Sequence, residues 1–283
     1  MSSPRNFGWI PEDAGQHDDL TGGPNTDASP ELLAGAAALP DESLRLVLAL
    51  PAFKDQDVTS TCVIHAIANV AESSLKAITG FTIDPSSIPQ LYAAANALLA
   101  PPGTPLQDIG TYARVVLQVA KEWGVARDID WPFRDPSGET DVRRVVTRVP
   151  PDVLQRASSW KLDEQQTIYA KGADRLRSVE AAVHALAGVP VAGVVDGAFM
   201  NYDGRGVLGA PNLADVRGRH MVAIMGYRTN RVTKKREYIL RNSWRGWGLV
   251  YLKQPSMAWV SEAWVHAQDE LYRLRVSRGR KTA

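Results

Sequence analysis

Apolar residues recur with a helical period most clearly after Cys62, where Val63, Ile67, Val70, Ala71, Leu75 and Ile78 share one face. Ser60 or Thr61 can cap the start and Gly80 can stop it, so the pattern predicts a helix there. A second helix is expected from Ser87 to Leu99, with Pro89 in its first turn and Pro101-Pro102-Gly103 after it. A third is expected from Thr104, with Pro105 in the first helical position and Ile109, Tyr112, Val116, Val119, Ala120 and Trp123 on one face before Gly124. Ser178 to Ala187 reads as a fourth, ended by Gly188. Beyond it the pattern changes to short β-rich runs, Pro190 to Val195, His220 to Tyr227, Glu237 to Arg241 and Leu249 to Leu252. Helices first and strands afterwards predict an α+β fold, because a doubly wound parallel sheet needs the two to alternate. Two lobes with a cleft between them fit that order.

Residues 1 to 38 break every period with Gly15, Gly22, Gly23, Pro24, Asn25 and Pro30, and read as an arm that Phe7, Trp9 and Ile10 could anchor. A domain from 39 to 270 and a basic tail from 271 to 283 complete the expected organisation. At 283 residues, 45% hydrophobic and 22% charged, the chain can bury a substantial core. Its 32 basic and 31 acidic side chains leave a formal charge of +1, too little field to hold a polyanion, so nucleic acid is not an expected partner. No apolar run reaches the 18 or so residues of a membrane helix, and no membrane partner is expected. The N-terminus has no charged start, apolar stretch and cleavage site in sequence, and Cys62 is the single cysteine, which excludes an intramolecular disulfide. A cytoplasmic, reducing setting is expected, with signal-independent export left open.

The candidate chemistry centres on Cys62. A thiol at a helix start faces unpaired backbone N–H groups and the positive end of the helix dipole, both of which favour the nucleophilic thiolate. Gln56 places an amide six residues upstream, Gly218-Arg219-His220-Met221 puts a histidine at the mouth of a strand, and Glu237 to Asn242-Ser243-Trp244 ends another strand in an amide. Taken singly, each has a plain structural reading: a buried inert cysteine, a loop amide, a strand-end histidine, a core tryptophan.

Together, and in this order, these residues resemble the papain-like cysteine peptidases, family C1, as a divergent member of bacterial type. The resemblance spans residues 39 to 255, with Leu39-Pro40-Asp41-Glu42-Ser43-Leu44-Arg45 similar to the family's mature N-terminus and Gly188-Val189-Pro190-Val191, Phe199, Tyr202 and Gly206 similar to its strand and loop before the histidine. It implies a two-lobed fold, a helical lobe and an antiparallel barrel-like lobe, with the active site in the cleft. It implies Cys62, His220 and Asn242 as catalytic residues, Gln56 and the Cys62 N–H as the oxyanion hole, and Trp244 as a shield over the His220–Asn242 bond. The implied reaction is hydrolysis of peptide bonds through a thioester, on a peptide or protein substrate, with a regulatory or inhibitor protein as a further possible partner and oligomeric state left open. Two departures stand out: Thr59-Ser60-Thr61-Cys62-Val63 replaces the family's Cys-Gly-Ser-Cys-Trp, and Asn242-Ser243-Trp244-Arg245-Gly246-Trp247-Gly248 is one residue short. They keep two alternatives open, a silent papain-like binding module and another acyl transfer on the same triad: deamidation, transpeptidation or isopeptide cleavage. The 38-residue arm is shorter than the family's usual inhibitory prodomain, so control by substrate access or a partner is expected.

Other signals are weaker. His65 lies one turn after Cys62 and is expected to pack; His17, His184 and His266 lack metal-ligand spacing, so neither metal nor cofactor is expected. Gly204-Arg205-Gly206-Val207-Leu208-Gly209 has dinucleotide-fingerprint spacing but is followed by Ala210-Pro211-Asn212, which no helix would continue, and reads as a loop. The basic runs Arg228, Arg231, Lys234, Lys235, Arg236 and Arg278, Arg280, Lys281 read as a solvated hairpin and a tail.

Overall fold

The computed structural model describes residues 7–13, 16–21, 26–36, 39–81 and 84–276. Its first half is helical: α1 (Asp18–Thr21), α2 (Ser29–Gly35), the short strand β1 (Glu42–Ser43), α3 (Arg45–Leu48), α4 (Cys62–Thr79), α5 (Ile88–Leu99), α6 (Ala113–Glu122), α7 (Val142–Val145) and α8 (Pro151–Ala157). Strands dominate the second: β2 (Glu164–Thr167), α9 (Gly172–His184), β3 (Val189–Asp196), α10 (Gly197–Met200), β4 (Val216–Thr229), β5 (Arg236–Arg241), β6 (Leu249–Tyr251), β7 (Gln254–Ser261), α11 (Glu262–His266) and β8 (Glu270–Arg275). The sheet runs β2-β8-β3-β4-β5-β7-β6, every pair antiparallel, with β1 added against β4.

The helix after Cys62 forms as its period predicts and stops where Gly80 enters the left-handed region at φ 74°. It is buried almost throughout, because α4 packs on α5 and α6 on one side and on β3, β4 and β8 on the other. Small residues Ala66, Ala68 and Ala71 let it sit that deep. One continuous core joins both lobes and takes in Trp9 from the arm. The helix at α5 begins as expected, the Ser87 hydroxyl accepting the Gln90 N–H with Pro89 in the first turn.

The third expected helix is shorter than its sequence pattern. Residues 104 to 112 are not helical and α6 starts at Ala113, because Gly110 adopts φ 97° and its N–H goes to the Tyr92 hydroxyl at 2.9 Å instead of to a helix carbonyl. Ile109 is consequently turned outward rather than joining the apolar face. His220 stands inside β4 rather than at its mouth: the strand begins at Val216, and His220 pairs with Gly193 on β3. Strands β7 and β8 carry weak sequence signals, since Pro255, Arg273 and Arg275 interrupt their apolar pattern. β8 continues the sheet beyond residue 270, and Arg278, Arg280 and Lys281 lie outside the described residues, as do Met1 to Asn6, Gly15 and Gly22 to Asn25 of the arm. Among the described residues no helix is long and apolar enough to cross a membrane.

Candidate active site

Cys62 opens α4 directly beneath β4. The backbone N–H groups of Met221, of Gly8 in the arm, of Val63 and of Cys62 itself face its sulfur and favour the charged form. Burial nonetheless pushes the Cys62 thiol up to about 11. The helix start alone favours thiolate; here desolvation of the charged form in the buried site outweighs those donors and favours the neutral thiol.

The imidazole of His220 is held from one side and covered from another. Its Nε2 donates to Asn242 Oδ1 at 2.8 Å, and the same oxygen accepts the Ser243 N–H at 2.7 Å, which fixes the amide's orientation. Trp244 lies stacked on the ring with centroids 4.2 Å apart and planes 26° from parallel, and Phe199 stands edge-on to both. All three of His220, Asn242 and Trp244 are buried, so the hydrogen bond is sheltered from competing water. The strands place these groups: Asn242 follows β5, its N–H bonded to the Ser256 carbonyl of β7, and β5 is paired with β4. The short Trp244–Gly248 run still delivers Trp247 into the core, because Gly246 and Gly248 turn through φ 69° and 72° and the indole N–H bonds the Phe199 carbonyl.

Gln56 is fully buried beside this group. Ser243 Oγ donates to Gln56 Oε1 at 2.6 Å, the Gln56 N–H bonds the Ser243 carbonyl at 3.0 Å, and Gln56 Nε2 donates to the Thr59 carbonyl at 2.9 Å. Ser243 thus ties the Asn242 and Gln56 segments together, a role its sequence position beside Asn242 signals only once the two loops are seen to meet. Asp108 is a second residue that pattern reading missed. Both of its carboxylate oxygens accept the Ser60 N–H, at 3.0 and 3.1 Å, and Oδ1 also accepts the Tyr92 hydroxyl at 2.8 Å. This carboxylate clasps the loop before Cys62 to the segment before Gly110, in a chain that has no second cysteine with which to form a disulfide there.

The described part of the arm runs through the cleft. Gly8 accepts the Thr111 N–H at 2.8 Å, Ile10 donates to the Thr111 carbonyl at 3.1 Å, and the Cβ that any other residue would carry at position 8 would overlap the Ser60 carbonyl. Phe7 stands edge-on to Trp244 at 6.1 Å, and Trp9 is buried. Further along, Glu12 and Asp18 form ion pairs with Arg114 at 3.2 and 2.7 Å.

His65 packs edge-on against Phe133 with Nδ1 3.0 Å from the Thr61 carbonyl, and burial pushes its pKa down to about 3, so it stays neutral. The Gly204–Gly209 segment is a loop, closed by the Tyr202 hydroxyl donating to the Gly206 carbonyl. Of the hairpin cations, Arg228 and Arg236 are part-buried and paired with Glu237 and Glu180, whereas Arg231, Lys234 and Lys235 are exposed. Among the described residues no three His, Cys, Asp or Glu side chains converge as metal ligands.

A helix-borne thiol against a strand-borne imidazole–amide pair, between a helical lobe and an antiparallel sheet, is the architecture of a thiol hydrolase. The family model for papain family cysteine proteases matches residues 109–253, more than half of the 283, and the chain belongs to that family. The matched stretch includes His220, Asn242 and Trp244 and stops short of Cys62. No curated protein matches the sequence. Among solved structures, xylellain, a cysteine protease from Xylella fastidiosa, superposes with a TM-score of 0.72 at 18% identity over 96% of both chains. The bromelain protease of Ananas comosus, in complex with the E64 inhibitor, superposes with 0.61 at 16% identity over 84% of this chain and 100% of its own. ProCathepsin B S9 from Trypanosoma congolense gives 0.68 at 12% identity over 96% and 87%. At these identities the likeness is one of fold.

Proposed function

We propose that this cysteine peptidase cleaves peptide bonds of extended peptide or protein substrates through a Cys62–His220–Asn242 triad and a thioester acyl-enzyme. The observation that carries the reading is the buried His220 Nε2–Asn242 Oδ1 bond under Trp244, on a strand whose next residue turns its backbone N–H toward the Cys62 sulfur. With Nε2 donating to Asn242, proton exchange with the thiol goes through Nδ1. Nδ1 takes the thiol proton as sulfur attacks the carbonyl carbon, then returns it to the departing amine as the carbon–nitrogen bond breaks, leaving the thioester. Water, deprotonated by the same nitrogen, attacks the thioester and releases the carboxylic acid and the thiol. Gln56 and the Cys62 N–H would stabilise the oxyanion in both halves, and Asn242 and Trp244 would keep the ring in place while it is charged. The arm must leave Cys62 before substrate enters, which accords with control by access. A reducing, cytoplasmic setting belongs to the same reading, since it keeps the single thiol free.

The test is intact-mass measurement of the full chain treated with an epoxysuccinyl peptide inhibitor, alongside hydrolysis of fluorogenic peptides. A single adduct and measurable turnover, both lost in Cys62→Ala and strongly slowed in His220→Ala, are expected. Absence of adduct and turnover in the wild type and in Gly8→Ala, which displaces the arm, would overturn the proposal.

A further inference from the structure

Of the arginines buried among the described residues, Arg114 and Arg273 pair with acidic side chains, and Arg175 donates to a set of main-chain carbonyls. Arg241 differs from all three. It is the last residue of β5 and only 1% exposed. Its Nη1 donates to the Pro255 carbonyl, whereas Nε and Nη2 are buried and meet no acceptor among the described residues. Burial lowers its pKa to about 10 and no neighbouring charge acts on it, so the guanidinium is still a cation at neutral pH. The Phe53 ring lies over it with the centroid 4.9 Å from the guanidinium carbon, and a ring face offsets a buried charge only in part.

We propose that the Nε–Nη2 edge of Arg241 binds one monovalent inorganic anion of halide size, with chloride as its ordinary occupant. The two N–H groups leave the planar guanidinium along one edge, the fork with which arginine grips an anion through two charge-assisted hydrogen bonds. Valence follows from charge: one negative charge neutralises the buried cation, whereas a dianion such as sulfate would leave a net charge in the same desolvated place. Size follows from burial, since a side chain 1% exposed under a phenyl ring admits a small ion and excludes an organic acid. Water would satisfy both N–H groups and leave the charge uncompensated. The position gives the ion a structural role. Arg241 directly precedes Asn242, and its Nη1 holds Pro255, the neighbour of Ser256, whose carbonyl accepts the Asn242 N–H at 2.9 Å. An anion on the fork therefore braces the ends of β5 and β7 from which the Asn242 loop departs. The inference is independent of the peptidase reading, because anion binding is read without turnover.

The test compares thermal unfolding of the full chain in sodium chloride and in sodium gluconate at matched concentrations, so that screening of exposed ion pairs is the same in both. Gluconate is a monovalent anion too bulky for the fork. Tm is expected to rise with chloride along a saturating curve, by about 5 °C once the site is filled, and bromide is expected to act as chloride does. Arg241→Gln, which removes the charge and the fork and keeps a polar side chain, is expected to melt at the same temperature in both salts. Crystals of the wild type grown in bromide supply a reading that needs no variant: an anomalous scattering peak within hydrogen-bond distance of Nε and Nη2 is expected. Equal Tm of the wild type in chloride and gluconate, a chloride response that survives Arg241→Gln, or a fork occupied by water in the bromide crystal would each overturn the inference. Should Arg241→Gln fail to fold, the wild-type salt comparison and the bromide crystal decide between the outcomes.

Discussion

The backbone N–H of Gly8 faces the sulfur of the buried Cys62. Burial of Cys62 nevertheless favours the neutral thiol against that donor, and only glycine fits where the arm passes the Ser60 carbonyl. Gly8→Ala is expected to displace the arm and return the thiol toward its ordinary range near 8.5, raising the thiolate fraction at neutral pH by about two orders of magnitude. Iodoacetamide labelling of the single cysteine measures this directly; a Gly8→Ala chain that labels at the wild-type rate would show that the arm does not control the thiol.

Asp108 holds the loop that carries Ser60 and, two residues on, Cys62. Asp108→Ala leaves the Ser60 N–H without its carboxylate acceptor and the Tyr92 hydroxyl with only the longer bond to the Gly110 carbonyl at 3.4 Å, so stability is expected to fall by about 1–3 kcal/mol. In an arm-displaced Gly8→Ala background kcat is expected to fall more than KM rises, because the loop positions Gln56 and Cys62 rather than contacting substrate side chains. Urea unfolding and steady-state kinetics give the two numbers; an unchanged kcat would reduce the clasp to a structural one.

Ser243 aims the Gln56 amide by donating to its oxygen. Gln56→Ala is expected to lower kcat by roughly 10²-fold or more, the effect of losing an oxyanion donor. Ser243→Ala should lower it less and add little in the Gln56→Ala background, since both act through one amide. Full additivity in that double-mutant cycle, measured in the same arm-displaced chain, would separate the two residues.

The seat of the arm is pH-sensitive through two carboxylates. Burial raises the pKa of Glu12 above its ordinary 4.5, against the charges of Arg114 and His17, which lower it, and of Asp18, which adds to it. Burial likewise raises Glu270, against hydrogen bonds from Tyr272, the Glu12 N–H and Trp9. A raised carboxylate binds its proton more tightly in the seated state, so its contribution is complete below about 4.5 and is lost as pH rises through the raised value. Asp27 and Glu31, lowered by hydrogen bonds from Ser29 and Arg273, act with the opposite sign farther along the arm, where solvent screens them. The protection factor of the Ile10 amide, with intrinsic exchange rates divided out, is expected to rise as pH falls from 7 to 5 and to flatten in Glu270→Gln. A protection factor that falls with pH would reverse the assignment.

Much of the candidate site could be read along the chain because its residues sit at element boundaries that leave marks: Cys62 at the start of an amphipathic period, Asn242 at the end of an apolar run. The helix at 62–79, the second helix and the central strands follow from periodicity alone. The third helix is shorter than its pattern because Ile109 and Tyr112 keep a helical spacing, while the competing uses of Gly110 and Thr111, on Tyr92 and on the arm, come from residues far away in sequence. Asp108, Ser243 and Glu270 carry no pattern of their own.

What the sequence by itself determined was the inventory and order of reactive groups, the α+β class, and the absence of a disulfide, since these depend on local periodicity and composition. Only the tertiary structure decided that Trp244 stacks on His220, that a carboxylate clasps the loop before Cys62, and that the arm passes over that loop. Each of those depends on segments tens to hundreds of residues apart meeting in one desolvated place, and the protonation state of the thiol follows from that burial rather than from its neighbours in the chain.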